Sequence, residues 1–220
     1  MSATIKNELR MPRETLQLWR LERLVDVIFA LVIIRLFTLL PRPETMETGW
    51  WSLTDMLLNN SSDLLMILVG MVIVIIYWIQ HNTLSGYLVR TNNTHTAIAI
   101  MQLFALLLFF YAIRMGSTFA GTVEARVLES GTAALVGIAS VIGWVYATRN
   151  RRLVSTDLPE PEARDVLMRT MTEPAVALLT IPCAFIGPVV WEIAWLAFIP
   201  VSQIIKRLVP EPAASRDTRP

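Results

Sequence analysis

The sequence has a single cysteine, Cys183, so no disulfide can close within the chain and no thiolate metal cluster can be built. It has two histidines, His81 and His95. Neither belongs to a His-x-x-x-His pair or stands beside a carboxylate cluster, so no metal site is expected. No glycine-rich phosphate loop is present, nor a Gly-x-Ser-x-Gly turn. Serine, histidine and aspartate are too scattered for a catalytic triad. No cofactor is expected and nothing favours an enzyme. The net charge is only +1, which gives no electrostatic reason to expect a nucleic-acid partner. Residues 1–19 lack the apolar core of a cleavable signal peptide, so the first spanning helix is expected to serve as its own uncleaved signal.

What the chain has in abundance is apolar residues in long blocks. Of its 220 residues, 54% are hydrophobic, and the mean hydropathy is +0.52. That pattern defines a polytopic membrane protein of all-α class rather than a soluble helical bundle. The first block, Arg20 to Leu40, organises the rest. It is apolar from Val27 onward except for Arg35 and Thr38, and its entry is crowded with Arg20, Glu22, Arg23 and Asp26.

Six spans are expected, near Leu24–Leu40, Leu64–Ile79, Ala97–Ile113, Leu128–Ala147, Ala175–Ile186 and Val189–Val201. Pro12 suits the first turn of a short interfacial helix at Glu14–Trp19. Pro41-Arg42-Pro43 should stop the first span, and Trp50-Trp51 reads as an interfacial anchor. Gly131, Gly137 and Gly143 permit close helix contact in the fourth span. Residues 149–169 read as a charged loop. The last two apolar segments, split at Gly187-Pro188, read as a tight hairpin. The organisation is thus a segment 1–19, a spanning domain 20–209 and a disordered tail 210–220.

The basic residues set the orientation. Lys6, Arg10, Arg13, Arg20 and Arg23, then Arg90, then Arg149, Arg151, Arg152, Arg164 and Arg169, then Lys206, Arg207, Arg216 and Arg219 fall on one side. Only Arg42, Arg114 and Arg126 fall on the other. The positive-inside rule therefore puts the N-terminal segment and the 210–220 tail in the cytoplasm.

At membrane depth the ionisable residues that stand out are Asp26, Arg35 and Glu192, and such groups need a partner or mark function. Arg20 and Asp26 lie in the pattern Arg-x-x-x-Leu-Val-Asp. Read by itself, this is either a functional constellation or a basic flank with an acidic residue favoured at a helix N-terminus.

The helix resembles the first helix of the transmembrane protein 175 family of potassium channels, whose signature is Arg-x-x-x-Phe-Ser-Asp. It stands here as Arg20, Leu24, Val25 and Asp26, followed by Val27, Ile28, Phe29 and Ala30. The family's Trp-x-x-His-x-x-x-Phe at the end of the second helix reads here as Trp78, His81 and Ser85, with serine in place of the phenylalanine. Its Asn-Leu-Leu run on the third is echoed by Gln102-Leu103-Phe104. The resemblance implies six spans, a pore lined by the first helix, and assembly as a homotetramer in the lipid bilayer, with potassium as the conducted ion. It also implies a bacterial plasma membrane as the location. The positions matching the apolar constriction are Leu31, Ile34 and Thr38, which share one helix face. Arg20, Asp26, Trp78 and His81 match the residues of a structural polar network behind the pore. The sequence departs from the pattern at Leu24 and Val25, which remove a hydroxyl, and at Ile34, where the family places a threonine layer.

Arg35 lies about 40° around the helix from Leu31. Facing the lumen, it would be a pore-mouth charge favouring anions or weak selectivity. It could equally snorkel to the outer headgroups or pair with Glu192. A non-conducting scaffold or sensor of the same fold is a further alternative.

Overall fold

A computed structural model describes residues 12–40, 53–119, 122–197 and 201. The sequence features at Pro41-Arg42-Pro43, at Trp50-Trp51 and in the 210–220 tail lie outside them. Among the described residues every regular element is helical, and extended backbone pairs only at an isolated bridge between Leu88 and Val154.

Helix α1 spans Arg13–Phe37, with Pro12 as its N-cap. It contains neither glycine nor proline, so the expected interfacial helix and first span run together as one rod of about 37 Å. It ends at Phe37, before the expected Leu40, in a turn where Thr38 Oγ1 donates to the Arg35 carbonyl at 2.7 Å. A short helix α2, Leu53–Asn59, leads into α3, Ser61–Gly86. Helices α4, Asn93–Thr118, and α5, Val123–Thr148, each begin at a polar cap. Asn92 Oδ1 accepts from the His95 amide at 2.9 Å, and the Thr122 hydroxyl accepts from the Ala125 amide at 3.4 Å. These caps start both helices several residues before their apolar cores.

Residues 149–169 are not simply a loop. A left-handed turn at Asn150, φ 56°, ends α5, and α6 then runs from Glu160 to Thr170. The prolines that suggested a loop instead start the helix: Pro159 is its N-cap and Pro161 lies in its first turn, flanked by Glu160 and Glu162. The Tyr87 hydroxyl, just after α3, donates to Glu162 Oε1 at 3.1 Å. Burial first, and then the Glu162 carboxylate, raises the Tyr87 pKa above the ordinary phenol value.

The chain closes with α7, Thr172–Cys183, and α8, Pro188–Trp195, which meet at the expected Gly187-Pro188 break. Among the described residues, three segments are long and apolar enough to cross a membrane: Leu64–Gly86, Asn93–Thr118 and Val123–Arg151. The 12 residues of α7 and 8 of α8 reach about 18 and 12 Å, so over its described length neither crosses a core of about 30 Å.

Helix α5 is the centre of the molecule, packed on α4, on α7 and, more lightly, on α3. The Tyr77 hydroxyl of α3 donates to the Ala133 carbonyl at 2.6 Å. Of the three fourth-span glycines, only Gly137 is a close approach: a Cβ there would stand 2.7 Å from Pro174 Cδ of α7. Gly143 would make an ordinary contact with Ile98, and Gly131 meets nothing within 4 Å. The core contains Phe29, Val74, Leu106, Phe109, Ile113 and Val136, drawn from α1, α3, α4 and α5.

Candidate functional site

Helix α1 buries one face and leaves the other uncovered. Leu18, Leu21, Val25, Phe29, Val32 and Leu36 are buried against the bundle, a spacing of three and four residues. The opposite face carries Leu24, Val27, Leu31 and Ile34, with Leu31 51% and Ile34 60% exposed. Arg20, Thr38 and Arg35 are exposed too. The three positions expected to line a pore therefore share a face that no other part of the described chain covers.

The polar residues predicted behind that face are only partly brought together. Trp78 Nε1 of α3 donates to Asp26 Oδ1 at 3.1 Å, tying α1 to α3. Both residues are exposed in the chain taken by itself. His81 lies one turn further along α3, its ring 6.3 Å from that of Phe29, and its Nε2 pairs with the Ser85 hydroxyl at 3.2 Å. Among the described residues no hydrogen bond or ion pair joins Arg20 to Asp26, Trp78 or His81. The N-terminal end of α1 is held instead by Gln17, whose Nε2 donates to Thr96 Oγ1 at 3.2 Å and Asn93 Oδ1 at 3.3 Å on α4.

The Trp78–Asp26 bond gives a clean test. Trp78→Phe and Asp26→Ala should each lower unfolding stability by about 1 kcal/mol. The double variant should cost little more than either, because both remove the same bond. Thermal unfolding in detergent measures this, and strictly additive losses would mean that the bond contributes nothing.

Sequence reasoning missed a second polar layer. Glu129 of α5 is 1% exposed and Arg126, one turn before it, is also buried, so two ionisable groups lie inside the helical bundle. Glu129 lies near Glu192 of α8. No ion pair joins Arg35 to Glu192 among the described residues. The neighbouring Ser130 hydroxyl takes hydrogen bonds from Thr180 of α7 at 2.8 Å and from Trp191 Nε1 of α8 at 2.9 Å. Arg126 reaches the Ala184 carbonyl at 3.0 Å. About 15 Å further along α5, Gln102 of α4 donates to Ser140 at 2.7 Å. The available signal was the spacing of Arg126, Glu129 and Ser130, three and four residues apart across the start of the fourth apolar block. Among the described residues, no group of three or more histidine, cysteine or acidic side chains is placed to hold a metal.

These features define a polytopic helical membrane protein that keeps one apolar helix face, flanked by arginines, out of its own core. The family model for the endosomal/lysosomal potassium channel TMEM175 matches residues 20–109. The fold is that of solved TMEM175 structures. A lysosomal potassium-selective channel TMEM175 homologue from Chamaesiphon minutus superposes with a TM-score of 0.69 at 16% identity, covering 86% of this chain and 98% of that one. The potassium channel MtTMEM175, solved as a variant with a nanobody–MBP fusion, gives a TM-score of 0.57 at 15% identity, covering 91% and 94%. No curated protein matches the sequence significantly. The expected resemblance is thus found in sequence over the first three long helices and in fold over most of the chain.

Proposed function

We propose that this protein is a passive potassium channel, a homotetramer in which four copies of α1 surround the conduction path. The observation that carries this reading is the uncovered face of α1. A single copy encloses no axis, and Leu31, Ile34 and Thr38 stand where a four-fold arrangement would turn them inward. Leu31 and Ile34 then form an apolar constriction that gates by dewetting. The α7–α8 hairpin completes six spans, with both ends of the chain in the cytoplasm of a bacterial cell. The Trp78–Asp26 bond holds α1 at a fixed rotation, so that the same face meets the axis in each copy.

The test is ion flux from liposomes holding the purified full-length protein, with potassium, sodium and chloride compared. Potassium flux above sodium, from a species that cross-links to four, is the expected result. No flux of any ion would favour a scaffold or sensor of the same fold.

Arg35 supports a second reading, of altered selectivity. It is exposed beside the Leu31 face. At about 10 Å and a dielectric near 80, each of four lumenal arginines would repel a cation by roughly 0.4 kcal/mol. Together they contribute roughly 1.7 kcal/mol, more than a tenfold loss of cation flux. If Arg35 instead reaches the headgroups, Arg35→Leu should change potassium flux by less than about twofold. A tenfold gain would place the charge in the lumen.

A further inference from the structure

One end of the bundle gathers arginines on a ledge of fixed backbone. There the link between α3 and α4 is pinned to the turn after α5. The Val89 amide donates to the Leu153 carbonyl at 2.9 Å, and Leu88 bridges to Val154. Leu153 and Val154 pack with Trp144 of α5 in a small second core. Asn150 and Arg151, at φ 56° and 50°, take left-handed conformations that residues with a Cβ seldom adopt. They turn the chain back, so that the Arg152 guanidinium lies 5.1 Å from the centre of the Tyr146 ring. Arg90 Nε donates to the Arg152 carbonyl at 2.9 Å, which holds Arg90 on the same ledge. The Arg151 guanidinium is taken up by the Thr156 carbonyl. Arg90, Arg149 and Arg152 are exposed, and among the described residues no carboxylate forms an ion pair with any of them.

This ledge stands at the end of an apolar track. Leu135, Ile138, Ile142 and Val145 are exposed and recur at three- and four-residue spacing along α5. Tyr146 and Arg149 continue the same face, within about 100° of the helix circumference. From Leu135 to Val145 the track is about 15 Å long, the depth of hydrocarbon in one leaflet. The apolar span of α5 ends at Arg151, so the arginines stand at the height of the headgroup phosphates. Unpaired positive charge above one leaflet of apolar surface is complementary to a lipid of net negative charge. A soluble anion would use the arginines and leave the track bare.

We propose that the ledge holds one phospholipid of net negative charge, of the phosphatidylglycerol class. Arg149 and Arg152 donate N–H bonds to its phosphate, Arg90 stands beside them, and one acyl chain lies along Leu135 to Val145. A zwitterionic head brings its own cation to the same arginines, which offsets the attraction of its phosphate.

The test is native mass spectrometry of the full-length protein from vesicles of equal phosphatidylglycerol and phosphatidylcholine with identical acyl chains. The expected result is one retained lipid per protomer, with about a tenfold preference for phosphatidylglycerol. Arg149→Gln combined with Arg152→Gln should bring that preference toward one while the variant keeps its thermal unfolding temperature. Arg149→Gln alone, which disturbs no ring contact, should lower it by about fivefold and makes the same test should the double variant not fold. Arg164→Gln, an equal loss of charge at an exposed site on α6, should leave the preference unchanged. Equal retention of the two lipids by the natural chain would overturn the proposal. So would an equal fall in Arg149→Gln and Arg164→Gln, which would mean a diffuse field and no site. Displacement of the lipid by inorganic phosphate would assign the arginines to a soluble anion and overturn it. No lipid on the natural chain, with assembly lost in the double variant, would assign the face to a second copy and overturn it too.

Discussion

Leu31→Ala should raise potassium flux by about tenfold or more and bring the potassium-to-sodium ratio toward one. Four leucine side chains meeting at an axis leave a passage too narrow and too apolar to stay wet, so an ion must shed water there with nothing to replace it. Alanine removes the branched end of each side chain, widens the passage and lets the hydration shell through, which lowers the barrier for both cations. The proper control is on the same helix. Leu36 is 0% exposed and faces the bundle, so Leu36→Ala should cost about 2–5 kcal/mol of stability without raising flux per folded channel. Liposome flux normalised to folded protein separates the two. Equal flux in Leu31→Ala and the natural chain would move the constriction to another position on α1.

The second large effect is structural. Gly137→Leu should abolish the folded protein, whereas Gly131→Ala, six residues earlier on the same helix, should be neutral or stabilising by about 0.5–1 kcal/mol. A Cβ at Gly137 would stand 2.7 Å from Pro174 Cδ and 3.0 Å from the Pro174 nitrogen, so it meets ring and backbone that cannot turn aside. At Gly131 it would meet nothing within 4 Å. Size-exclusion profiles and thermal unfolding in detergent distinguish the outcomes. A monodisperse, normally stable Gly137→Leu would mean that α5 and α7 are not held at this distance.

How much of this was legible in the sequence differs by element. The three long central helices were plain, because unbroken apolar runs read the same whatever they pack against. Their ends were not: α4 begins at Asn92 and α5 at Thr122, where polar caps extend a helix past its apolar core. Helix α6 was hidden because proline reads as a breaker until its place at a helix start is known. The uncovered face of α1 was legible in outline, since three- and four-residue spacing puts Leu31, Ile34 and Thr38 together. Glu129 was overlooked inside its apolar block because its carboxyl lies against Gly116 of another helix, α4, a contact that no local pattern reveals. Spacing alone likewise could not show that Asp26 takes its bond from Trp78 rather than from Arg20.

Ser130 accepts from both α7 and α8, and this has a consequence for how the chain is made. Helix α5 leaves the ribosome before either partner has emerged. Until they arrive, Arg126, Glu129 and Ser130 must sit against lipid or stay with the insertion machinery, and a charged group in the hydrocarbon is costly. The hairpin therefore acts as a release step in biogenesis. Chains ended and released after Met171 should leave α5 extractable and open to quality-control proteases, and chains that include Trp195 should make it resistant.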